Sequence, residues 1–327
     1  MIEYKALHSA SNCLFQGDIY VAFYAGEAEC VKQKVFIFKK EKSKYKLFKA
    51  LPEGSGNPVL FTMAGQLFCC YSMFTRPMEN NVFDLWRTTY TTITNLTSAE
   101  DNSTLLATFN CPRSNPIYLE DGALILPSYD EEIQRGNVFY MKPGERVVKG
   151  TCMSSVPVIQ PTAFKFQNQN FLLFRNFERN RTPEHSYSLF ARFAFAANNS
   201  RIVFTDTKYT KVPNNNESVA TINDTDGNVL VVYNAVVGRR DLTLAYLEYS
   251  EEENTFVPNP ILKINTEDRA SYPNVCFNSQ GQLNICYTSY NRGINEGSSI
   301  AMATISKNYK KVLSTKFING EDLNGGD

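Results

Sequence analysis

Histidine is nearly absent from this sequence, with 2 in 327 residues, and the 8 cysteines, at 13, 30, 69, 70, 111, 152, 276 and 286, include no C-x-x-C pair. Zinc sites are built from such pairs and from histidine, so no metal is expected, and no other cofactor is assigned. Net charge is missing too, because 33 Lys and Arg balance 33 Asp and Glu. A chain without a basic field has nothing to draw it to nucleic acid or to an anionic membrane surface. No apolar run approaches the roughly 20 residues of a bilayer span, and the opening MIEYKALHSA lacks the basic and apolar blocks of a secretory leader. A soluble monomer is expected. Cys69, Cys70, Cys276 and Cys286 fall in strand-like apolar runs, where a free thiol behaves as a small hydrophobe. Reduced cysteines, and with them an intracellular reducing compartment, are therefore expected. Six N-x-S/T sequons, at Asn95, Asn102, Asn180, Asn198, Asn216 and Asn223, do not establish secretion in so asparagine-rich a chain.

A 3.6-residue apolar period and a Pro/Gly/Ser-rich linker are likewise lacking, which argues against helical layers and against a domain boundary. What is present is a repeat. A tight turn followed by an apolar strand returns six times, as QGDIYVAFYAG, AGQLFCCYSMF, DGALILPSYDE, NQNFLLFRNF, DGNVLVVYNAV and QGQLNICYTSY. Its turn positions, 17, 65, 122, 169, 227 and 281, recur about every 53 residues, and Gln169 replaces glycine in the fourth copy. Upstream of each block lies another short strand: HSASNCLF, NPVLFT, NPIYLE, QPTAFKF, NESVATI and YPNVCF. Proline is tolerated at a strand's start, so Pro58, Pro116, Pro161 and Pro273 are expected to mark where these strands begin. A unit of this length with several short strands rich in Val, Ile, Phe and Tyr suits a four-stranded propeller blade. The fold class expected is all-β, a six-bladed β-propeller of four-stranded antiparallel blades over 1–317, with 318–327 a polar, frayed tail. A large β-sandwich or two smaller β domains is the alternative. The start IEYKAL is expected to close the ring by joining the last blade beside SSIAMATIS. The lysine-rich KQKVFIFKKEKSKYKLFK reads as an outer hairpin whose charges protect a blade edge.

In a propeller the starts of the first strands converge on one mouth of the central channel. His8, Asn57, Asn115, Gln160, Glu217 and Tyr272 hold that place in the six copies and are expected to form a polar ring. A carboxylate such as Glu217 is tolerable there because strand starts are loop-like and partly wet.

The ordered strings NESVATINDTDGNVLVVYN, RRDLTLAYLEYS and SYPNVCFNSQGQLNICYTSY, with NPVLF, IQPTAF and FLLFRN upstream, resemble the sialidase (neuraminidase) superfamily, especially its BNR-repeat sialidase-like branch, over roughly residues 5 to 295. Such enzymes are six-bladed propellers that cleave terminal sialic acids with retention. They use three arginines, a Glu-activated tyrosine nucleophile and an aspartate general acid. The resemblance implies Glu217 as the base and Tyr272 as the nucleophile, and one arginine falls on Arg240, with Arg239 as a register alternative. A phenol with a pKa near 10 needs such a base, and a neutral nucleophile does not repel an anionic sugar. The remaining pattern departs from the family. His8 stands at the first arginine's place, Tyr233 or Asn234 at the second's, and Gln33 near the acid's, leaving Glu29 as a substitute acid and His8 as an acid/base or sugar contact. No S-x-D-x-G-x-T-W box is intact, and the single tryptophan is Trp86. Arg175 and Arg292 follow second strands and could refill the cationic pocket. Together with Asn57, Asn115, Gln160, Asn234 and Tyr287 they complete the candidate substrate contacts. A glycan or glycoconjugate is the expected partner. The implied activity is removal of a terminal acidic sugar by a glycoside hydrolase. The alternatives are a catalytically silent glycan- or protein-binding propeller, and a lyase acting on uronic acid in which His8 and a tyrosine move protons.

Overall fold

Each copy of the repeat folds as the first two strands of one antiparallel sheet. The computed structural model of the chain describes residues 3–42, 44–75, 86–99, 103–179, 182–196, 200–265, 269–290 and 297–323. The first blade runs β1 (Ala6–Phe15), β2 (Asp18–Gly26), β3 (Lys34–Glu41) and β4 (Lys44–Glu53). The second has β5 (Ser55–Met63), β6 (Gln66–Met73), β7 (Tyr90–Asn95) and β8 (Ser103–Thr108). After the short β9 (Cys111–Pro112) comes the third, with β10 (Ile117–Tyr118), β11 (Leu124–Asp130), β12 (Arg135–Met141) and β13 (Val148–Thr151). The fourth has β14 (Val158–Phe166), β15 (Gln169–Asn176), β16 (Tyr187–Phe195) and β17 (Ile202–Phe204), and β18 (Lys208–Pro213) also pairs with β16. The fifth has β19 (Ala220–Asn223), β20 (Val229–Val236), β21 (Arg240–Ser250) and β22 (Thr255–Asn265). The sixth has β23 (Arg269–Phe277), β24 (Leu283–Tyr290), β25 (Ser298–Ile305) and β26 (Val312–Ile318). In every blade the strands pair in chain order, and the fold is a six-bladed β-propeller. Contacts divide the chain into two compact units, Met1–Pro112 with Asp268–Asp327, and Arg113–Glu267.

In the first unit Phe23, Phe36 and Phe38 of the first blade pack with Ile300 and Met302 of the sixth. In the second, Phe164, Phe171 and Phe256 join Val219 and Val231 between the fourth and fifth blades. Burying each of these side chains contributes about 1.5–3 kcal/mol. The lysine-rich segment forms the β3–β4 hairpin, the outer pair of its blade. All eight cysteines are buried as thiols, and burial pushes the Cys13 and Cys152 thiols up to about 12.

Blade edges are also joined by a recurring polar clamp. One side chain near the middle of a first strand accepts a hydrogen bond from the backbone amide of the next blade's first strand. Ser11 Oγ accepts from Leu60 N at 3.0 Å, Asn274 Oδ1 from Asn12 N at 3.4 Å and Thr162 Oγ1 from Thr221 N at 3.0 Å. Thr162→Val should leave a buried amide unpaired and cost about 1–3 kcal/mol, read as a lower denaturant midpoint at constant slope.

Several expectations are corrected. Pro116 stands directly before β10, but the other three prolines do not begin their strands: β5 and β14 start three residues before Pro58 and Pro161, and β23 four before Pro273. The pairing register skips at these points, and a bulge there removes the demand for the ladder hydrogen bond that proline cannot donate. The fourth turn is formed by Gln167 and Asn168, both left-handed, with Gln169 already paired to Phe166. The chain start does not add a strand to the sixth blade, which is complete in itself. Instead the start is held to β25 through Ser298, whose amide donates to Lys5 O at 3.0 Å and whose hydroxyl accepts from Leu7 N at 2.9 Å. The tail is not frayed over 318–323. Ile318 and Leu323 are buried in the same core cluster as Tyr4, and a Cβ on Gly320 would lie 1.9 Å from Tyr4 O, so glycine is required there.

Candidate functional site

The bulges recur at one edge of the blades and carry an unusual backbone. Ser9, Asn57, Gln160 and Tyr272 occupy them with φ of 58°, 44°, 48° and 54°. Left-handed conformation costs an ordinary residue about 1–2 kcal/mol, and in a bulky side chain such as tyrosine it is an outlier that the surroundings must enforce. His8 therefore stands one residue before the ring position assigned to it, and Ser9 takes that place. Counting back from the equivalent hairpin turns, Ser218 corresponds to Tyr272 and Glu217 to the residue before it, the position that His8 holds in the first copy.

In the first unit, strand ends of the first and sixth blades build an aromatic cluster around His8. Its ring centroid lies 5.7 Å from Tyr24, 5.7 Å from Tyr290 and 6.5 Å from Tyr272. Tyr24 is buried opposite His8 in the β1–β2 register. Burial pushes its phenol well above the ordinary value, and the adjacent Glu29, Tyr272, Cys30 and Tyr290 act in the same direction. Tyr24 therefore stays protonated through the neutral range, with its hydroxyl available as a hydrogen-bond donor. Tyr290 shares a 2.8 Å hydrogen bond with Ser271 Oγ, and the Arg269 guanidinium lies 5.7 Å over its ring. Ser9 Oγ donates to Asn57 Oδ1 at 2.9 Å. Glu29, on the β2–β3 connection, accepts from Trp86 Nε1 at 3.2 Å.

In the second unit the asparagine run before Glu217 forms a hydrogen-bonded ledge. Asn214 Oδ1 accepts from the amides of Asn176, Asn216 and Glu217, each at 3.2 Å, while its Nδ2 donates to Ser188 Oγ at 3.0 Å and Glu217 O at 2.8 Å. Asn216, left-handed at φ 71°, accepts from Arg175 Nε at 2.8 Å, and Arg175 Nη1 donates to Gln160 Oε1 at 2.8 Å. Gln160 Nε2 reaches Tyr129 OH at 3.5 Å. The Glu217 carboxylate, 6% exposed, accepts from Asn215 N at 2.6 Å. Arg175 is equally buried, and its Nη2 makes no hydrogen bond among the described residues. One donor edge of that guanidinium is therefore left over for a ligand.

The remaining candidates are scattered. Arg240 is exposed at the start of β21, with its carbonyl accepting from Asn234 Nδ2 at 3.5 Å. Tyr233 is in the core and Tyr287 is buried in β24. Asn115 is half-buried before β10, and Arg292 lies outside the described residues. Sequence reasoning missed Tyr24, Tyr290 and Arg269. The two tyrosines read as core aromatics in strands, while a charge three residues ahead of Tyr272 was the signal for Arg269. Among the described residues there is no group of three His, Cys, Asp or Glu side chains placed to hold a metal, and no helix is long and apolar enough to cross a membrane.

A propeller with these strand-edge clusters matches the BNR repeat-like domain family over residues 20–285, and the chain belongs to that family. Among solved structures it is similar to the NanB sialidase from Streptococcus pneumoniae, at 8% identity and a TM-score of 0.66, covering 98% of this chain and 69% of that one. It is also similar to the Trypanosoma rangeli sialidase solved with sialic acid, at 9% identity and TM-score 0.62, covering 90% of this chain. This chain spans about half of that enzyme's length, 53%. A protein of unknown function from Dyadobacter fermentans, at 12% identity and TM-score 0.63, is matched over 92% of this chain and 95% of its own. No curated protein matches. At these identities the structural likeness defines the fold.

Proposed function

We propose that the protein is a glycoside hydrolase of the sialidase type that removes a terminal acidic sugar from a glycan. The observation that carries this reading is Tyr272, held left-handed at a first-strand bulge with its ring against His8, in a cluster that also includes Tyr24. Strain in a tyrosine backbone is stored where a reactive group must be aimed. In the proposed reaction the Tyr272 phenol oxygen attacks the anomeric carbon as the bond to the aglycone oxygen breaks. Glu29 gives its proton to that oxygen. Water then displaces the tyrosine, its proton passing to the Glu29 carboxylate while the phenolate regains its proton from the base, so two inversions yield retention. The family resemblance assigns Glu217 the role of base and implies an arginine that holds the substrate carboxylate by charge-assisted hydrogen bonds.

The test is release of a fluorescent aglycone from sialosides and from uronides by the purified chain. Failure to turn over any acidic glycoside would end the hydrolase reading. Arg175→Lys loses the planar fork but keeps the charge, and it should raise KM for the acidic substrate about 10-fold or more with a smaller change in kcat. One specific observation favours a second reading. His8 beside a phenol that stays protonated is the pairing a uronic acid lyase needs, with the imidazole taking the proton next to the carboxylate and Tyr24 protonating the leaving oxygen. An unsaturated product absorbing in the ultraviolet, without water uptake, would select it.

A further inference from the structure

Overall neutrality hides a separation of charge. Residues 32–49 and 297–320 hold 12 of the 33 cationic side chains, all lysine, against one of the 33 acids, Glu41, so the rest of the chain carries 21 cations and 32 acids. Both segments belong to the first unit and to neighbouring blades: Phe38 of β3 shares a core cluster with Ile300 and Met302 of β25, and Tyr45 and Leu47 of β4 pack against it. Strand direction places the charge. β1 runs from the bulge at Ser9 to the turn at Gly17, and β23 from Tyr272 to the turn at Gly281, so in these antiparallel blades the β3–β4 and β25–β26 turns lie at that same far end. A Cβ on Gly281 would lie 3.9 Å from Lys307 Cε, which brings that lysine to the same end. Lys42, Lys44 and Lys46 are exposed at one turn and Lys307, Lys310 and Lys311 at the other, and none of the six joins an ion pair among the described residues. Lys40 is half-buried, and burial together with the like charge of Lys316 holds its ammonium below the usual lysine range.

We infer that these two turns form a docking surface for an acidic polysaccharide, at the end of the blades opposite His8 and Tyr272. Lysines along β4 protect a blade edge, but Lys307, Lys310 and Lys311 stand on the turn between β25 and β26, where there is no strand edge to guard. Crowding them beside the β3–β4 turn costs mutual repulsion, which a polyanion relieves. The turn is ordered in advance: Ser306 N donates to Lys311 O at 2.9 Å, Tyr309 N to Ser306 O at 2.8 Å and Lys311 N to Ser306 Oγ at 3.1 Å, with Tyr309 buried beneath. Less backbone freedom is therefore lost on binding. Neither segment contains arginine, the side chain suited to planar, bidentate contact with phosphates and bases, which disfavours nucleic acid. Neither turn exposes an apolar side chain among its described residues, whereas a lipid surface takes such side chains into its acyl boundary. A hydrated chain of carboxylates or sulfates fits flexible point charges. The preference for a glycan rests on the hydrolase reading above; the cationic sign of the surface does not.

The experiment titrates the whole protein with polygalacturonate, duplex DNA and phosphatidylserine vesicles, with neutral dextran as the blank. Polygalacturonate should bind, and more weakly as salt rises, because exposed charges are screened. Lys44→Gln, Lys46→Gln, Lys310→Gln and Lys311→Gln combined should raise its Kd about 10-fold or more at an unchanged melting temperature. The same four lysines changed to arginine should bind as the wild type does, which separates lost charge from lost structure. An unchanged Kd in the four-glutamine variant, DNA or vesicles bound as tightly as polygalacturonate, or no polygalacturonate binding at about 0.15 M salt would overturn the inference. Turnover of an acidic glycoside without polymer binding sinks this inference alone. Charge-dependent polymer binding by a chain that hydrolyses no acidic glycoside sinks the hydrolase reading and leaves the docking surface standing.

Discussion

Tyr272→Phe is expected to lower kcat by about 1,000-fold or more in the hydrolase assay while the protein stays folded. The variant lacks only the phenol oxygen. The ring that lies 6.5 Å from His8 is kept, and phenylalanine faces the same left-handed backbone cost as tyrosine at φ 54°. Binding of the free sugar should persist, since the phenol contributes a bond to carbon in the reaction rather than the main recognition contacts. A loss of activity accompanied by a large drop in melting temperature would point instead to packing. Undiminished kcat would remove tyrosine as the nucleophile, and the His8 and Tyr24 pairing would then have to be tested as proton-transfer chemistry.

The second large effect concerns stability. Phe174 on β15 is fully buried in a cluster with Val138, Tyr140, Leu172 and Leu189. Gly136 on β12 presses against its ring, where an added Cβ would lie 2.2 Å from Cε1 and 2.8 Å from Cδ1. Phe174→Ala should cost about 3–5 kcal/mol, and Gly136→Ala about 1–3 kcal/mol because the ring must leave its place. The two should not add. With the ring gone the new methyl finds space, so the double variant should be more stable than the sum of the single losses implies, measured by denaturant titration as a coupling energy. Additive losses would mean that the ring and the glycine do not constrain each other.

The repeat was legible because each blade writes the same local signs: a turn, a short apolar strand and a polar start. Those signs depend only on neighbours in sequence, and six returns of them specify six sheets. Bulge register was not legible in the same way. Whether His8 or Ser9 takes the left-handed place depends on where β1 skips against β2, which is a property of two paired strands. The prolines misled for the related reason that a bulge excuses a missing amide in mid-strand. Ile318 and Leu323 carried too weak an apolar signal to announce that 318–323 docks on the core beside Tyr4. At the candidate site, Arg175 and Gln160 were named separately, but their bond and its extension through Asn216 came from β14, β15 and the asparagine-rich connection meeting. Tyr24 and Tyr290 looked like core residues, since an aromatic in a strand reads alike whether its far edge meets a leucine or a histidine.

The amino-acid order alone determined the kind of unit, how many times it recurs, and which residue types stand at its strand starts, because these follow from turn sterics and short apolar runs. Only the tertiary structure decided which starts are bulged, that Trp86 reaches Glu29 across 57 positions, and which guanidinium edge is left over. Those outcomes depend on distances between segments remote in the chain, and such distances are set when the apolar faces pack, not by any local preference.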